Sequence, residues 1–121
     1  LSLDYPDFLI ASSEWFAFVP AKEYFDEPGD HADELETSVM MHYHPELVNL
    51  DEAGDGNYKK FASQMLNEKV AWIPRNWQNV SQDTGIGNPK KASAGKGKKY
   101  AEAVVAKYAL LFEELVHKEL Y

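Results

Sequence analysis

The strongest constraint on the fold is a regular apolar pattern near the end of the chain. Upstream of it, Asn88 is a suitable helix cap and Pro89 suits the first position of a helix. Gly95 and Gly97 weaken the first turns, so we expect the helix to become firm only near Lys98. Apolar side chains at three- and four-residue steps then predict one apolar helix face, formed by Ala101, Val104, Val105, Tyr108, Leu111, Phe112 and Leu115.

Two other segments have the composition of strands. Residues 7–19 are apolar and aromatic, and residues 69–74 form a second short apolar run. Strands that alternate with helices predict an α/β fold with a mainly parallel sheet. Two strands are too few for such a sheet, because an α/β unit normally needs more strands to cover the faces of its helices. We therefore expect the chain to be half of a larger domain.

Size and charge narrow the class of protein. The chain has 121 residues, of which 45% are hydrophobic, as in one small globular domain. It contains 20 acidic and 12 basic residues, and the resulting charge of −8 argues against a nucleic-acid partner. No apolar run has the length of a membrane span and no signal peptide is evident, so we expect a soluble, cytoplasmic protein.

Two further compositional features bear on possible sites. The chain has no cysteine, which excludes disulfides and thiolate metal ligands. Most of the basic residues lie in one stretch, residues 89–99. Such a cluster could hold phosphate, but a solvated helix start is the commoner explanation and the one that we favour.

Residues 29–48, GDHADELETSVMMHYHPELV, contain the beginning and end of a helix. Asp33 can cap the helix and Glu36 follows three residues later, the acidic form of a capping box. The other acids also favour the positive end of the helix dipole. Pro45 disfavours helical geometry in His44 and ends the helix. On this interpretation the acids need no chemical role.

The same stretch also admits a functional interpretation. His31 lies among carboxylates beside a helix start, where an imidazole can take and return a proton near neutral pH. Glu36 could be an oxygen ligand for a divalent metal. Because the two are five residues apart, they converge only if His31 lies in the loop before the helix. Capping by Asp33 places His31 there, so both interpretations are compatible.

One Glu and one His do not complete a catalytic metal site, which takes about three protein ligands and an open position. We expect the remaining His residues to be structural or on the surface and the loop acids to support turns. Any metal centre would therefore draw most of its ligands from outside this chain. The remaining candidate ligands within this chain, to which these structural roles apply, are His42, His44, Asp51, Asp55, Asp83 and His117.

Residues 29–38, GDHADELETS, and the PELV that follows resemble the creatininase (creatinine amidohydrolase) family, whose pattern is close to GDHAGExETS. Residues 84–105 match a second family block more loosely. The resemblance covers nearly the whole chain. It implies a three-layer α/β/α fold, of which residues 1–121 are the C-terminal half.

The resemblance also implies an activity. Family members hydrolyse amides or cyclic amides with two divalent metals, zinc paired with zinc, manganese or iron, and usually form hexamers. Most ligands come from the first half, whose motifs do not occur here. Glu36 corresponds to a metal ligand and His31 to the group that passes a proton to the leaving nitrogen. Asp30 and Glu34 would orient His31 or contact substrate, although capping or exposure to solvent is the simpler role for each.

The match has two departures. Asp33 stands where the family has Gly, and Glu27 stands where creatininases place a Trp that contacts substrate. These departures argue against creatinine itself as the substrate but leave the reaction class unchanged. The resemblance implies a small-molecule amide substrate, a partner in the N-terminal half of the same protein, and a homo-oligomer. The isolated chain should be inactive. The alternative is a metal-free creatininase-like protein that serves binding or assembly.

Overall fold

The computed structural model describes residues 3–117 and 119. Among these residues, four α-helices follow in chain order: α1, Glu34–Tyr43; α2, Gln64–Asn67; α3, Trp77–Val80; and α4, Ala94–His117. Short 3₁₀ turns lie at Trp15–Ala17, Ala21–Glu23, Pro45–Leu47 and Pro89–Lys91. None of the helices in the described part of the chain combines the length and the apolar character needed to cross a bilayer.

The predicted α/β fold with a mainly parallel sheet is wrong for this chain. Within residues 3–117 and 119 there is no strand, and the β-type pairing is one isolated antiparallel bridge between His31 and Ile86. Residues 7–19 instead run irregularly into a 3₁₀ turn, and residues 69–74 are likewise irregular. The physical reason is that a strand needs a neighbour for its backbone N–H and C=O groups, and apolar composition alone provides none.

The long C-terminal helix is confirmed, but its start differs from the prediction. Asn88 caps the 3₁₀ turn Pro89–Lys91 through its side chain, which accepts a hydrogen bond from the amide of Lys90 at 3.0 Å. The chain is then extended at Ala92 before α4 begins at Ala94, so the helix is formed well before Lys98. Ser93 lies just ahead of α4, and its Oγ accepts from the amide of Lys96 at 3.3 Å.

Helix α4 packs against α1 with a very short separation between their backbones. A Cβ atom placed on Gly97 would lie 1.9 Å from the carbonyl oxygen of Ser38, so only glycine fits at this crossing. The Ser38 hydroxyl is fully buried and accepts a hydrogen bond from the amide of Ser93 at 3.0 Å. The crossing therefore joins the middle of α1 to the first turn of α4.

The small core lies beside this crossing. Tyr100 of α4 is fully buried, and the rings of Trp15, Tyr24 and Phe25 pack edge-on against it at centroid distances of 5.2–6.2 Å. Its hydroxyl donates to the backbone carbonyl of Phe16 at 2.9 Å. Leu35 and Val104 complete the buried cluster. The irregular segment around residues 15–25 is thereby fixed to both helices.

The second half of α4 projects from this core. Within the predicted apolar face, Ala101 and Val104 are buried and Tyr108 packs partly against the core. Val105, Phe112 and Val116 are 58%, 59% and 74% exposed, so the described residues leave much of the helix uncovered.

Candidate functional site

The turn before α1 carries the site residues predicted from the sequence. Asp33 caps the helix as expected, because its Oδ1 accepts from the amide of Glu36 at 2.9 Å and its Oδ2 accepts from the amide of Gly29. Asp33 is only 3% exposed, so the side chain that replaces the family glycine is absorbed into the cap. Ala32, the residue before it, has a left-handed backbone with φ +48°.

This turn brings His31 and Glu36 together. His31 Nδ1 lies 3.7 Å from Glu36 Oε2, although five residues separate them in sequence. The same oxygen accepts from the amide of Ala32 at 2.6 Å, one residue earlier than in a standard capping box. His31 lies in the loop ahead of α1, as the spacing required. Both side chains are partly exposed, at 45% and 38%.

The main chain around His31 is fixed from the opposite side by residues 85–87. The amides of Asp30 and His31 donate to the carbonyl of Ile86 at 2.7 and 3.1 Å, and the amide of Ile86 donates back to His31 at 2.8 Å. Gly87, at φ +120°, approaches Gly29 so closely that a Cβ on it would lie 2.8 Å from the Cα of Gly29. The two motif blocks are therefore adjacent in space.

Glu34 has a different environment from the one that the sequence favoured. Its side chain is 0% exposed, so the simpler expectation of exposure to solvent is wrong. Its Oε2 accepts from the amide of Glu27 at 2.7 Å, and its Oε1 pairs with Lys96 Nζ. A buried carboxylate needs such partners to offset the loss of hydration. Glu34 thus connects α1 to the start of α4.

Lys96 pairs with the carboxylate of Asp26 as well as with that of Glu34. Its Nζ lies 2.7 Å from Asp26 Oδ2 and also donates to the carbonyl of Lys91 at 3.2 Å. The hydrogen bond from Lys96 lowers the pKa of Asp26, and in return the hydrogen bonds to Asp26 and Glu34 raise the pKa of Lys96. Within the basic stretch 89–99, Lys96 is therefore an exception to the predicted solvated helix start.

Asp30 pairs with a segment that the sequence did not implicate. Arg75 Nη2 lies 2.7 Å from both oxygens of the Asp30 carboxylate. The guanidinium of Arg75 is also 5.5 Å from the ring centroid of Trp77, and that ring is 5.0 Å from the imidazole of His31. Sequence reasoning missed Arg75 and Trp77, whose only signal is an Arg and a Trp two residues apart in a turn-rich region.

Three of the other candidates make short-range contacts within their own segments. His44 pairs with Glu46 at 3.2 Å on the exposed surface, and Asp55 accepts from the amide of Asn57 at 3.1 Å within its loop. Asp83 accepts from the amide of Gly85 at 3.0 Å, a bond that lowers the pKa of Asp83. Across residues 3–117 and 119, no group of three His, Asp or Glu side chains is placed to hold a metal ion.

A cavity of about 570 Å³ borders the same turn. Its lining includes the polar side chains of Glu36, Thr37 and Asp83 and the apolar side chains of Met40 and Leu47. The volume is in the range that small-molecule sites occupy. Glu36 is thus the acidic residue of α1 that lines this cavity.

Most of the chain is similar to one known protein family. The family model described as "Creatininase: Creatinine amidohydrolase" matches residues 6–112. No curated protein shows significant similarity to the chain. The crystal structure of a Bacteroides fragilis protein described as a "Putative creatinine amidohydrolase" superposes with a TM-score of 0.90 at 59% sequence identity. The match covers 99% of the present chain and 48% of that one, so this chain spans about half the length of its structural neighbour.

Proposed function

The chain belongs to the creatininase family, and from that premise we propose that it forms part of a metal-dependent amidohydrolase. The substrate class is a small amide or cyclic amide, and the reaction is hydrolysis of its C–N bond. The observation that carries the proposal is the convergence of His31 and Glu36 at 3.7 Å, on the turn that bears the family motif.

The metal centre must be completed by protein outside this chain. Glu36 is the ligand that the chain contributes, because a carboxylate oxygen suits zinc, manganese or iron. One carboxylate and one nearby imidazole are too few for a catalytic site, so the remaining ligands would come from an N-terminal half. When bound, two divalent metals would supply the Lewis acidity that ionises water near neutral pH.

The residues of this chain supply the proton transfer. His31 accepts the proton lost by the attacking water and returns it to the leaving nitrogen as the C–N bond breaks. Its main chain is held on Ile86, which fixes the point of the turn from which the imidazole extends. Asp30 and Glu34 support this turn through Arg75 and Lys96. Both carboxylates would orient the site without being transformed in the reaction.

The exposed apolar side chains support a partner half. Val105, Phe112 and Val116 of α4 and Phe8 near the start of the chain are each more than half exposed. Exposed apolar side chains that share one face of a helix, as Val105, Phe112 and Val116 do at seven- and four-residue steps, mark an interaction site. We assign it to the N-terminal half of the same domain, and we propose a homo-oligomer, a hexamer by family resemblance, for the completed protein. The neighbour's chain has about the extra length that such a half requires.

Reconstitution tests the proposal. The portion of the Bacteroides fragilis protein that this chain does not match is expressed and mixed with the chain, and metal content is measured together with hydrolysis of creatinine and of formamide. We expect the mixture to bind metal and to hydrolyse an amide, whereas the isolated chain does neither. Stable complexes without metal or turnover would favour the alternative, a metal-free protein for binding or assembly.

Two variants separate the residue roles. Glu36→Gln keeps an oxygen that can accept from Ala32 but removes the charge, so metal content should fall. His31→Ala should retain metal and lose turnover, by about 10²–10⁴-fold for a general acid–base group. Glu46→Gln is the matched control, because Glu46 also lies beside a His, at 3.2 Å, but on the exposed surface. Unchanged metal content in Glu36→Gln would refute its assignment as a ligand.

A further inference from the structure

The imidazole of His31 has two neighbouring side chains, those of Glu36 and Trp77. Glu36 Oε2 lies 3.7 Å from Nδ1, at the edge of the ring, and the ring of Trp77 lies 5.0 Å away, tilted by 45° to the imidazole plane. The main chain of His31 is already fixed by two hydrogen bonds with Ile86. The remaining freedom is rotation of the side chain, and the indole restricts that rotation.

Trp77 is itself held in place. It begins α3, a single short turn, and this turn alone would position a large side chain poorly. The guanidinium of Arg75 lies 5.5 Å from its ring centroid, within the range of a cation–π contact. Arg75 is in turn fixed by Asp30, whose two oxygens are each 2.7 Å from Nη2. Asp30 directly precedes His31 in sequence, so the contacts form a closed ring of four residues.

We propose that Arg75 and Trp77 are positioning residues that hold the His31 imidazole in the orientation needed for proton transfer. The inference rests on the proposed function of His31 and assigns the segment 75–77 a part in it. Asp30 then acts as the anchor for Arg75 and does not contact substrate. Without the indole, the imidazole would rotate away from the position in which it faces the reacting atoms.

The test uses crystal structures and kinetics of the completed protein, with three variants. Trp77→Ala removes the ring, Trp77→Phe keeps an aromatic face, and Trp72→Ala is the matched control. Trp72 lies five residues away and is 83% exposed, so it changes tryptophan content without touching His31. Each variant is assayed for metal content and for kcat and KM with creatinine or formamide, whichever the wild-type protein hydrolyses.

In Trp77→Ala we expect kcat to fall by about 10–100-fold with KM and metal content nearly unchanged, because misplacement of a catalytic group by about 1 Å can cost 10²-fold. Trp77→Phe should recover most of the activity. The crystal structure of Trp77→Ala should show the imidazole rotated or in more than one conformer, and that of Trp72→Ala should show it as in the wild type.

The outcomes distinguish this proposal from the function on which it rests. An unchanged imidazole in Trp77→Ala, or a rotated imidazole with wild-type kcat, overturns the positioning role and leaves the amidohydrolase proposal intact. If the wild-type protein binds no metal and hydrolyses neither amide, the proposed function fails; the positioning of His31 is then decided by the crystal structures alone. A fall in metal content equal to the fall in kcat would show that Trp77 supports the fold of the site, and would also overturn the proposal.

Discussion

Replacement of Gly97 by alanine tests the contact that joins the two principal helices. An added Cβ would lie 1.9 Å from the carbonyl oxygen of Ser38, whereas ordinary contact begins at 3.4 Å. Because the obstacle is backbone, no side-chain rotation relieves it, and the helices must separate locally by about 1.5 Å. The buried hydrogen bond of 3.0 Å from the amide of Ser93 to the Ser38 hydroxyl would then be stretched or lost.

The change in the free energy of unfolding caused by Gly97→Ala is the sum of three contributions. Overpacking typically costs about 1–3 kcal/mol, and leaving a buried hydrogen-bonding group unsatisfied costs about 1–3 kcal/mol. Alanine has a higher helix propensity than glycine, which returns about 1 kcal/mol. The net expectation is destabilisation by about 1–5 kcal/mol, a large part of the stability of a domain this small.

Gly95 provides a matched control in the same helix. A Cβ on Gly95 would meet no atom within 4 Å, so Gly95→Ala should keep the benefit of helix propensity and stabilise the chain by about 0.5–1 kcal/mol. Urea unfolding followed by circular dichroism measures both variants against the wild-type chain. Equal midpoints for Gly97→Ala and Gly95→Ala would refute the close crossing of α1 and α4.

Three further results are expected from unfolding measurements. Asp33→Ala should destabilise the chain by about 1–2 kcal/mol through loss of the cap on α1, whereas Asp33→Asn, which keeps an acceptor, should lose less; equal losses would contradict the capping role. Tyr100→Phe should cost about 1 kcal/mol, because the buried hydroxyl no longer donates to the carbonyl of Phe16; an unchanged urea midpoint would contradict it. The pKa of Asp26 is lowered below its ordinary value of 3.8, so its ion pair with Lys96 stabilises the fold above pH 3.8. This stabilisation is lost as the pH falls through the folded-state pKa. The pKa of Lys96 is raised above its ordinary value of 10.5, so the ion pairs of Lys96 stabilise the fold below pH 10.5. This stabilisation is lost as the pH rises through the folded-state pKa. Melting temperature measured against pH should therefore show a weaker acid limb in Asp26→Asn, and an identical limb would count against the pair.

The local features of the site were predictable because they depend on close sequence spacing. A capping residue at Asp33, an acid three positions later and a proline at Pro45 define α1 without reference to the rest of the chain. The same spacing required His31 to lie in the loop before α1, where it approaches Glu36. Such arguments need only the geometry of one helix turn.

The contacts between distant segments could not be predicted in this way. The pairing of Glu34 with Lys96 spans 62 residues and that of Asp30 with Arg75 spans 45, so neither follows from local periodicity. The expected strands failed for a related reason. Phe8, Leu9 and Ile10 have strand-like composition, yet they are 69%, 56% and 47% exposed, because nothing in the described residues pairs with this segment.

The fully buried Glu34 and its partner Lys96 also limit how the site could be moved to another protein. A designer who transferred only α1 and the turn before it would carry over Glu34 without Lys96, its counter-charge on α4. That orphaned carboxylate would have to take up a proton or open the turn to water. A successful transplant therefore needs both helices, together with the glycine that lets them touch.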